Sequence, residues 1–253
     1  MSFQVSGDSY DRFMGRWSTG LAPVFADYGG VEAGQHVLDV GCGSGVLTEQ
    51  LALRVGAANV AGIDPSPMLE ACRARVPGAD LRHGTAEELP WPDDTFDAAL
   101  AQLVVHFMSD PAAGVGEMTR VTRPAGAVVA CTWDFGDGME MLRVYWESAR
   151  AVDPDAESER VFGTREELDE LWRSSGLEDT EVEPLEVSSS YADFDELWNA
   201  FLLGVGPSGQ FLLSRDSETQ EAIRSEYFRR LGEPEGRFEL AGRAWAVRGR
   251  VPA

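Results

Sequence analysis

Two spacings of apolar residues alternate along the first half of the chain. Short apolar runs bounded by turn residues are typical of buried strands, whereas apolar residues three and four positions apart are typical of helices. The short runs predict five strands, at His36–Val40, Asn59–Ile63, Asp80–His83, Phe96–Ala101 and Val128–Thr132. Helices are predicted between them at Gly43–Val55, at Pro67–Arg75, and from Pro111, capped by Asp110, to a point before Pro124. Repeated strand–helix units predict an α/β fold, in which helices cover both faces of a parallel sheet.

The rest of the chain is predicted to be mainly helical. Residues 8–30 carry aromatic and apolar side chains at helical spacing, which predicts two short amphipathic helices. Further helices are predicted at Met139–Val152, Thr164–Ser175, Phe194–Leu203 and Ser217–Leu231, and further strands at Thr180–Ser189 and Arg237–Arg248. Thr164 and Glu167 have the spacing of a capping box, and the glycine-rich segment 204–209 separates the last two helices.

Length and pattern together predict the domain organisation. A chain of 253 residues suits one domain, 1–253, better than two independent ones. We expect an N-terminal helical segment over residues 1–34, a core over 35–134, and cap insertions at 135–163 and 191–235.

Charge and cysteine content restrict the class of protein. The chain has 43 acidic residues against 21 basic ones, all of them arginine, so its net charge is −22. This excess repels a phosphate backbone, and no basic stripe compensates for it, so we expect no nucleic-acid partner. The three scattered cysteines predict reduced thiols in a cytoplasmic protein and no zinc or other metal site. Without a long apolar run or a leader pattern, we expect no membrane association.

The most specific feature is the glycine-rich turn after the first predicted strand, within Val37-Leu38-Asp39-Val40-Gly41-Cys42-Gly43-Ser44-Gly45. Glycines are needed where a backbone turns sharply or approaches a ligand, and the N–H groups of the following helix face the turn. The pattern therefore predicts a nucleotide-type binding site. The dinucleotide fingerprint G-x-G-x-x-G would need a glycine at Val46. Asp39, two residues before Gly41, instead suits a ligand that carries an ammonium group.

This segment resembles the first motif of the class I S-adenosylmethionine (SAM)-dependent methyltransferases, in particular their small-molecule, type 11-like group. The resemblance covers about residues 35–134. It implies a Rossmann-like, seven-stranded, mostly parallel sheet with an antiparallel last strand and a mainly helical cap. It also implies SAM as the cofactor, held by Asp39 and by the turn residues Gly41, Cys42, Gly43 and Gly45.

Further positions match the family at the expected distances along the chain. Asp64 ends the second predicted strand, where the family has an acid that accepts both ribose hydroxyls. Pro65-Ser66-Pro67-Met68 resembles the segment that lines the adenine, with Met68 as an apolar lid. Gly84-Thr85-Ala86-Glu87-Glu88-Leu89-Pro90 resembles the segment that contacts the adenine edge, although Thr85 stands where the family has Asp. The resemblance therefore implies cofactor contacts from Asp64, Pro65, Met68, Thr85, Ala86 and Glu87, and from Gln102 beside the methionine part of SAM.

Two other segments also resemble the family. Tyr10–Trp17 resembles a segment that folds over the cofactor, which implies that Tyr10 lies near SAM. Arg16 is the candidate partner of the SAM carboxylate, because a guanidinium binds a carboxylate bidentately. The alternative for Arg16 is a surface arginine beside a packing helix. Glu117–Gly126 resembles a structural segment in which Ala125 replaces a glycine.

Methyl transfer from a sulfonium needs mainly positioning and exclusion of water, since the cofactor already activates the methyl group. A general base is needed only for a poorly acidic hydroxyl or a protonated amine. His106, past the fourth predicted strand, is the candidate catalytic residue, as a base or as a residue that positions the acceptor; packing is the alternative. Aromatic residues of the cap either line a pocket for a hydrophobic molecule or form a core: Trp133, Phe135, Tyr145, Trp146, Trp198 and Phe201.

Three hypotheses follow. The leading one is a SAM-dependent methyltransferase that acts on a small, partly apolar metabolite. Whether it forms a homodimer is left undecided by the sequence. No D/N-P-P-F/Y tetrapeptide follows the fourth predicted strand, which disfavours DNA, RNA and release-factor-like substrates. The second hypothesis is a non-catalytic SAM-binding regulator or subunit. The third is a dinucleotide-dependent oxidoreductase, which Val46 disfavours.

Overall fold

The computed structural model describes residues 11–157 and 162–253. Within them, the strands are β1 (Val37–Val40), β2 (Val60–Asp64), β3 (Asp80–His83), β4 (Phe96–Gln102), β5 (Thr122–Trp133), β6 (Glu178–Tyr191) and β7 (Phe238–Arg250). The helices are α1 (Arg16–Tyr28), α2 (Val46–Val55), α3 (Leu69–Arg75), α4 (Pro111–Val121), α5 (Glu140–Val152), α6 (Arg165–Ser174), α7 (Phe194–Phe201), α8 (Gly206–Leu213) and α9 (Ser217–Arg230).

The strands form one sheet in the order β3-β2-β1-β4-β5-β7-β6. β1 pairs in parallel with β2 and β4, and the parallel region continues to β3 and β5. β7 runs antiparallel to β5, with Ala127 opposite Arg250. This arrangement confirms the predicted Rossmann-like sheet and its antiparallel last strand. Because β1 and β4 are parallel neighbours, their carboxyl ends at Val40 and Gln102 lie at the same edge of the sheet.

Helix starts follow the capping signals in the sequence. Asp110 accepts a hydrogen bond from the Ala113 N–H at 3.1 Å, and Pro111 occupies the first turn of α4. At α6 the Glu167 N–H donates to Thr164 Oγ1 at 3.2 Å, and the Thr164 N–H donates to the Glu167 carboxylate at 3.1 Å. These caps satisfy N–H groups that the helix itself leaves unpaired, and each typically contributes about 1 kcal/mol. Both predicted helix starts are confirmed.

The N-terminal region differs from the two predicted helices. A short π-helical turn (Asp11–Gly15) leads into the single helix α1. Trp17, Leu21 and Phe25 are fully buried at four-residue spacing, so one apolar face continues along α1.

Helix α8 begins within the glycine-rich segment 204–209 that was predicted to separate two helices. Pro207 lies in its first turn, where a missing N–H costs no hydrogen bond, and Leu212 is buried.

β5 begins six residues before the predicted strand. Its additional first part forms a bulge in the sheet. Thr122 pairs with Phe96 and Ala127 pairs with Ala98, so four residues of β5 face a single residue of β4. Pro124 is tolerated in this bulge because no ladder hydrogen bond needs its nitrogen.

The chain divides into two compact units. The sheet unit comprises residues 21–133, 162–185 and 244–253, and the helical unit comprises the described residues of 11–20, 134–157 and 186–243. The single-domain boundaries proposed from the sequence stay a prediction. No helix in the described part of the chain combines the length and apolar character needed to cross a membrane.

Candidate functional site

The glycine turn connects β1 to α2 and is tied to β2. The Gly41 N–H donates to the Ile63 carbonyl at 2.8 Å. Gly41 has a φ of 72°, and a Cβ there would lie 2.5 Å from Val104 Cγ2. Gly45 has a φ of 86°, and a Cβ there would lie 2.7 Å from Cys72 Sγ. Both positions therefore require glycine, for the backbone angle and for the space.

The middle of the turn is more open. A Cβ on Gly43 would have Met68 Cε as its nearest neighbour, at 3.7 Å. Cys42, by contrast, is buried, and its N–H donates to the Ile63 carbonyl at 3.0 Å. Gly43 is therefore the part of the turn whose backbone a ligand can approach, and Met68 is the side chain beside it.

Asp64 has both carboxylate oxygens held in place. The Gly43 N–H donates to Oδ2 at 2.8 Å, and the Ser66 N–H donates to Oδ1 at 2.8 Å. Oδ1 also accepts a hydrogen bond from the Ser66 hydroxyl. Because each carboxylate oxygen accepts about two hydrogen bonds, Oδ2 retains capacity for a further donor, and a ligand hydroxyl at Oδ1 would take the place of the Ser66 hydroxyl. The glycine turn and the acid at the end of β2 thus form one hydrogen-bonded assembly, suited to accept two neighbouring hydroxyls.

Asp39 lies within β1 and is 1% exposed. Burial raises its pKa to about 8, although the hydrogen bond donated by Thr48 Oγ1, at 2.6 Å, favours the ionised form. Near neutral pH this carboxyl group therefore holds its proton until a positive charge approaches it. An ammonium group is a ligand of that kind.

The segment after β3 contributes a second acid. Glu87 accepts hydrogen bonds from the N–H groups of Ser109, at 2.7 Å, and Asp110, at 3.3 Å. Burial opposes ionisation of Glu87, but the hydrogen bonds it accepts outweigh that effect and lower its pKa. This carboxylate therefore joins the segment to the start of α4. Of the neighbouring predicted contacts, Ala86 is buried, and Thr85 and Pro65 are exposed.

The remaining candidate residues of the sheet unit lie at the carboxyl end of β4 or just after it. Gln102 is its last residue and is half-buried. Leu103 follows with a φ of 62°, a left-handed conformation that is uncommon outside glycine, and the chain then forms a short turn at Val105–Phe107. His106 lies in this turn, half-buried, with its ring 4.0 Å from that of Phe107. Burial lowers the pKa of His106 to about 4, so its imidazole is neutral at physiological pH.

The other two predicted cofactor contacts belong to the N-terminal segment. Tyr10 lies outside the described residues. Within the helical unit, Arg16 donates to the Glu196 carboxylate at 2.5 Å and to the Ser190 carbonyl at 2.7 Å, and its guanidinium lies over the Tyr191 ring at 4.5 Å. These contacts give Arg16 an anchoring role in that unit; its pairing with a cofactor carboxylate stays a prediction.

The aromatic residues of the helical unit form its core. Tyr145 stacks on Phe201 with a centroid distance of 4.4 Å, and Tyr227 meets both rings edge-on. The two tyrosine hydroxyls have partners inside the unit, since Tyr145 donates to the Ser208 carbonyl at 2.9 Å and Tyr227 donates to the Met141 carbonyl at 3.0 Å. Trp146 and Trp198 are also buried, as is Trp133 of the sheet unit, whereas Phe135 is 36% exposed. Packing, rather than an acceptor pocket, therefore explains most of these aromatics.

Sequence reasoning missed the residues that hold the two acids. Thr48 and Ser66 bond to Asp39 and Asp64, and neither was singled out. Ser66 had a local signal, because a side chain two residues after an aspartate is well placed to bond to it. Thr48 had none, since only the tertiary packing of α2 on β1 brings it to Asp39.

Comparison with known proteins matches residues 38–130 to the family described as "Methyltransferase domain". An uncharacterized methyltransferase of Mycobacterium tuberculosis is 37% identical over 138 residues, which are 54% of this chain and 54% of that protein. A demethylmenaquinone methyltransferase of Clavibacter sepedonicus is 37% identical over 126 residues, 48% of this chain and 51% of that protein. The chain thus spans about half the length of these relatives.

A solved structure gives the same fold over most of the chain. Phosphoethanolamine N-methyltransferase 2 of Haemonchus contortus, in complex with phosphomonomethylethanolamine and S-adenosylhomocysteine, superposes with a TM-score of 0.55 at 19% identity. The match covers 97% of this chain and 57% of that one. At this identity the likeness concerns the fold.

Proposed function

We propose that this chain, which carries a class I SAM-dependent methyltransferase domain, transfers a methyl group from SAM to a small, partly apolar metabolite. The observation that carries the proposal is the assembly of the glycine turn with Asp64. The Gly43 N–H orients that carboxylate, and the same residue leaves the turn open to a ligand.

The residues present fit SAM. Asp64 offers acceptor positions for the two ribose hydroxyls, and Asp39 offers a buried carboxylate for the ammonium group of the methionine part. When bound, SAM supplies a methyl group on a positively charged sulfur, which is already activated for displacement. The chain then has to bind and orient SAM and the acceptor, and to exclude water from them. Orientation of the two reactants alone can lower the barrier to methyl transfer by about 7–11 kcal/mol.

We assign His106 to positioning of the acceptor. An effective general base has a pKa near the working pH, and burial holds the pKa of His106 at about 4. A neutral imidazole instead offers one hydrogen-bond donor and one acceptor at fixed positions. The exposed ring of Phe107, 47% accessible, adds an apolar surface beside it.

A small acceptor is supported by charge and by one relative. The net charge of −22 disfavours polyanionic substrates. The Clavibacter relative acts, by its name, on demethylmenaquinone. Because the match covers only about half of that relative's length, the identity of this chain's methyl acceptor is part of the proposal.

Transfer of label from [methyl-³H]SAM to a panel of small phenols, quinols, amines and carboxylates tests the proposal. We expect labelled product with at least one acceptor, and loss of labelling in Asp64→Asn. Asp169→Asn on α6 is the matched control, because it removes an exposed carboxylate paired with Arg173. Binding of SAM without label transfer to any acceptor would favour the alternative, a non-catalytic SAM-binding regulator. NADH binding in its place would favour an oxidoreductase.

A further inference from the structure

A cavity lies in the sheet unit at the opposite edge of the sheet from the glycine turn. It has a volume of about 360 Å³ and is lined by Gly30, Ala98, Arg123, Ala127, Arg248 and Arg250, among others. Ala98 lies near the amino end of β4, whereas the glycine turn follows the carboxyl end of β1. The volume is within the range of small-molecule sites, which starts at about 300 Å³.

Three guanidinium groups line this cavity. Arg248 and Arg250 are two residues apart on β7, so their side chains leave the same face of the sheet. Arg123 belongs to the bulge of β5, the strand that pairs with β7. In a chain with twice as many acidic as basic residues, three arginines at one cavity form a local concentration of positive charge.

Two of the three arginines already have acidic partners. Arg123 pairs with Asp97 at 2.7 Å, and Arg248 pairs with Glu181. Asp97 and Glu32 also line the cavity and would oppose a bound anion. The third arginine therefore decides whether the cavity attracts negative charge.

Arg250 has spare hydrogen-bonding capacity. Its Nη1 donates to the Ala125 carbonyl at 2.9 Å, one of the five N–H donors of a guanidinium. Within the described ranges, no carboxylate forms an ion pair with it. The side chain is exposed, so its charge is available to a ligand in the cavity.

The bulge that carries Arg123 is held in a costly conformation. Ala125 has a φ of 64°, a left-handed conformation that is unfavourable for residues other than glycine. The Ala125 N–H donates to the Val251 carbonyl at 2.8 Å, so the residue that follows β7 holds the bulge in place. Strained backbone of this kind concentrates at binding sites.

We propose that this cavity binds an oxyanion group of a small metabolite, a phosphate or a carboxylate, with Arg250 as its principal ligand. A guanidinium binds either group through two parallel hydrogen bonds. Arg248 and Arg123 add further positive charge on the cavity wall, and the remaining volume holds the rest of the metabolite. This site is independent of the methyl-transfer chemistry proposed above.

Calorimetric titration with sodium phosphate, at low ionic strength, tests the proposal. We expect saturable binding to the wild-type protein and about ten- to hundred-fold weaker binding to Arg250→Gln, the loss expected for a charge-assisted hydrogen bond. Arg250→Lys keeps the charge but loses the planar fork, so its affinity is expected to lie between the two. Arg173→Gln is the matched control, since it removes the same charge from an exposed site on α6 and leaves the affinity unchanged.

Parallel titrations distinguish the two sources of oxyanion. Phosphate binding that exceeds acetate and malonate binding supports a phosphate-bearing metabolite, and the reverse order supports a carboxylate. Absence of saturable binding of all three overturns the proposal, as does an equal loss of affinity in Arg173→Gln or equal competition by chloride. Thermal unfolding checks that each variant is folded. If Arg250→Gln does not fold, the affinity of Arg250→Lys is compared with that of the wild-type protein instead.

Discussion

Asp39 carries a carboxyl group into the centre of the sheet, where its ionised form is costly. Thr48 supplies a hydrogen bond, but the pKa still rises to about 8 from its ordinary value of 3.8. The sequence predicted that this acid binds an ammonium group, and a buried carboxyl group that holds its proton at neutral pH is consistent with that prediction. Without a positive charge beside it, this side chain lowers the stability of the fold at neutral pH.

Replacing Asp39 with Asn is expected to stabilise the cofactor-free protein as the pH rises. Between about pH 4 and pH 8 the folded state holds a proton on Asp39 that the unfolded state has released, so the stability contributed by this group falls with increasing pH. The advantage of Asp39→Asn should grow by up to about 1.4 kcal/mol per pH unit in that window. Urea unfolding at a series of pH values measures it. A difference that stays constant with pH would show that Asp39 is ionised in the fold.

His106 is expected to remain neutral across the physiological range. Burial lowers its pKa to about 4, so protonation should begin only in moderately acidic solution. NMR of the imidazole C–H signals, assigned by comparison with His106→Gln, measures the titration directly. A midpoint near the ordinary value of 6.5 would contradict the burial of this ring and restore the role of general base.

At the scale of helices and strands, elements with local signals were predicted and elements shaped by tertiary contacts were not. The strands of the parallel sheet and the capped starts of α4 and α6 follow from apolar runs and from side chains such as Asp110 and Thr164. Helix α8 was missed because its glycines and proline are typical of a loop. The bulge in β5 was missed because it depends on the register against β4, which no local pattern records.

Ala125→Gly is expected to stabilise the protein by about 1 kcal/mol. A φ of 64° is unfavourable for alanine, whereas glycine adopts it freely. The gain in folding stability is reduced because glycine has greater conformational freedom in the unfolded chain. Thermal or urea unfolding measures the change. Ala127→Gly is the matched control, because Ala127 is buried in the regular part of β5 and should lose stability. Destabilisation of both variants alike would contradict the strain at Ala125.

At the scale of the whole molecule, the sequence predicted which residues gather at the glycine turn far better than it predicted an acceptor pocket. The glycine turn and Asp64 are adjacent in motif and in space, because β1 and β2 are parallel neighbours. Thr48 and Ser66 donate hydrogen bonds to Asp39 and Asp64, the two acids beside this turn. The acceptor side is different, because aromatic spacing alone does not separate a pocket from a core. The rings of Tyr145, Phe201 and Tyr227 proved to pack on one another.

Calorimetric titration with S-adenosylhomocysteine tests the central claim most directly, since it probes the assembly of the glycine turn and Asp64 without needing the acceptor. We predict saturable binding in the micromolar range, weakened about ten- to hundred-fold by Asp64→Asn through loss of a charged acceptor, and unchanged in Asp169→Asn. Absence of binding to the wild-type protein, or equal binding by Asp64→Asn, would contradict the assignment of this turn as the SAM site.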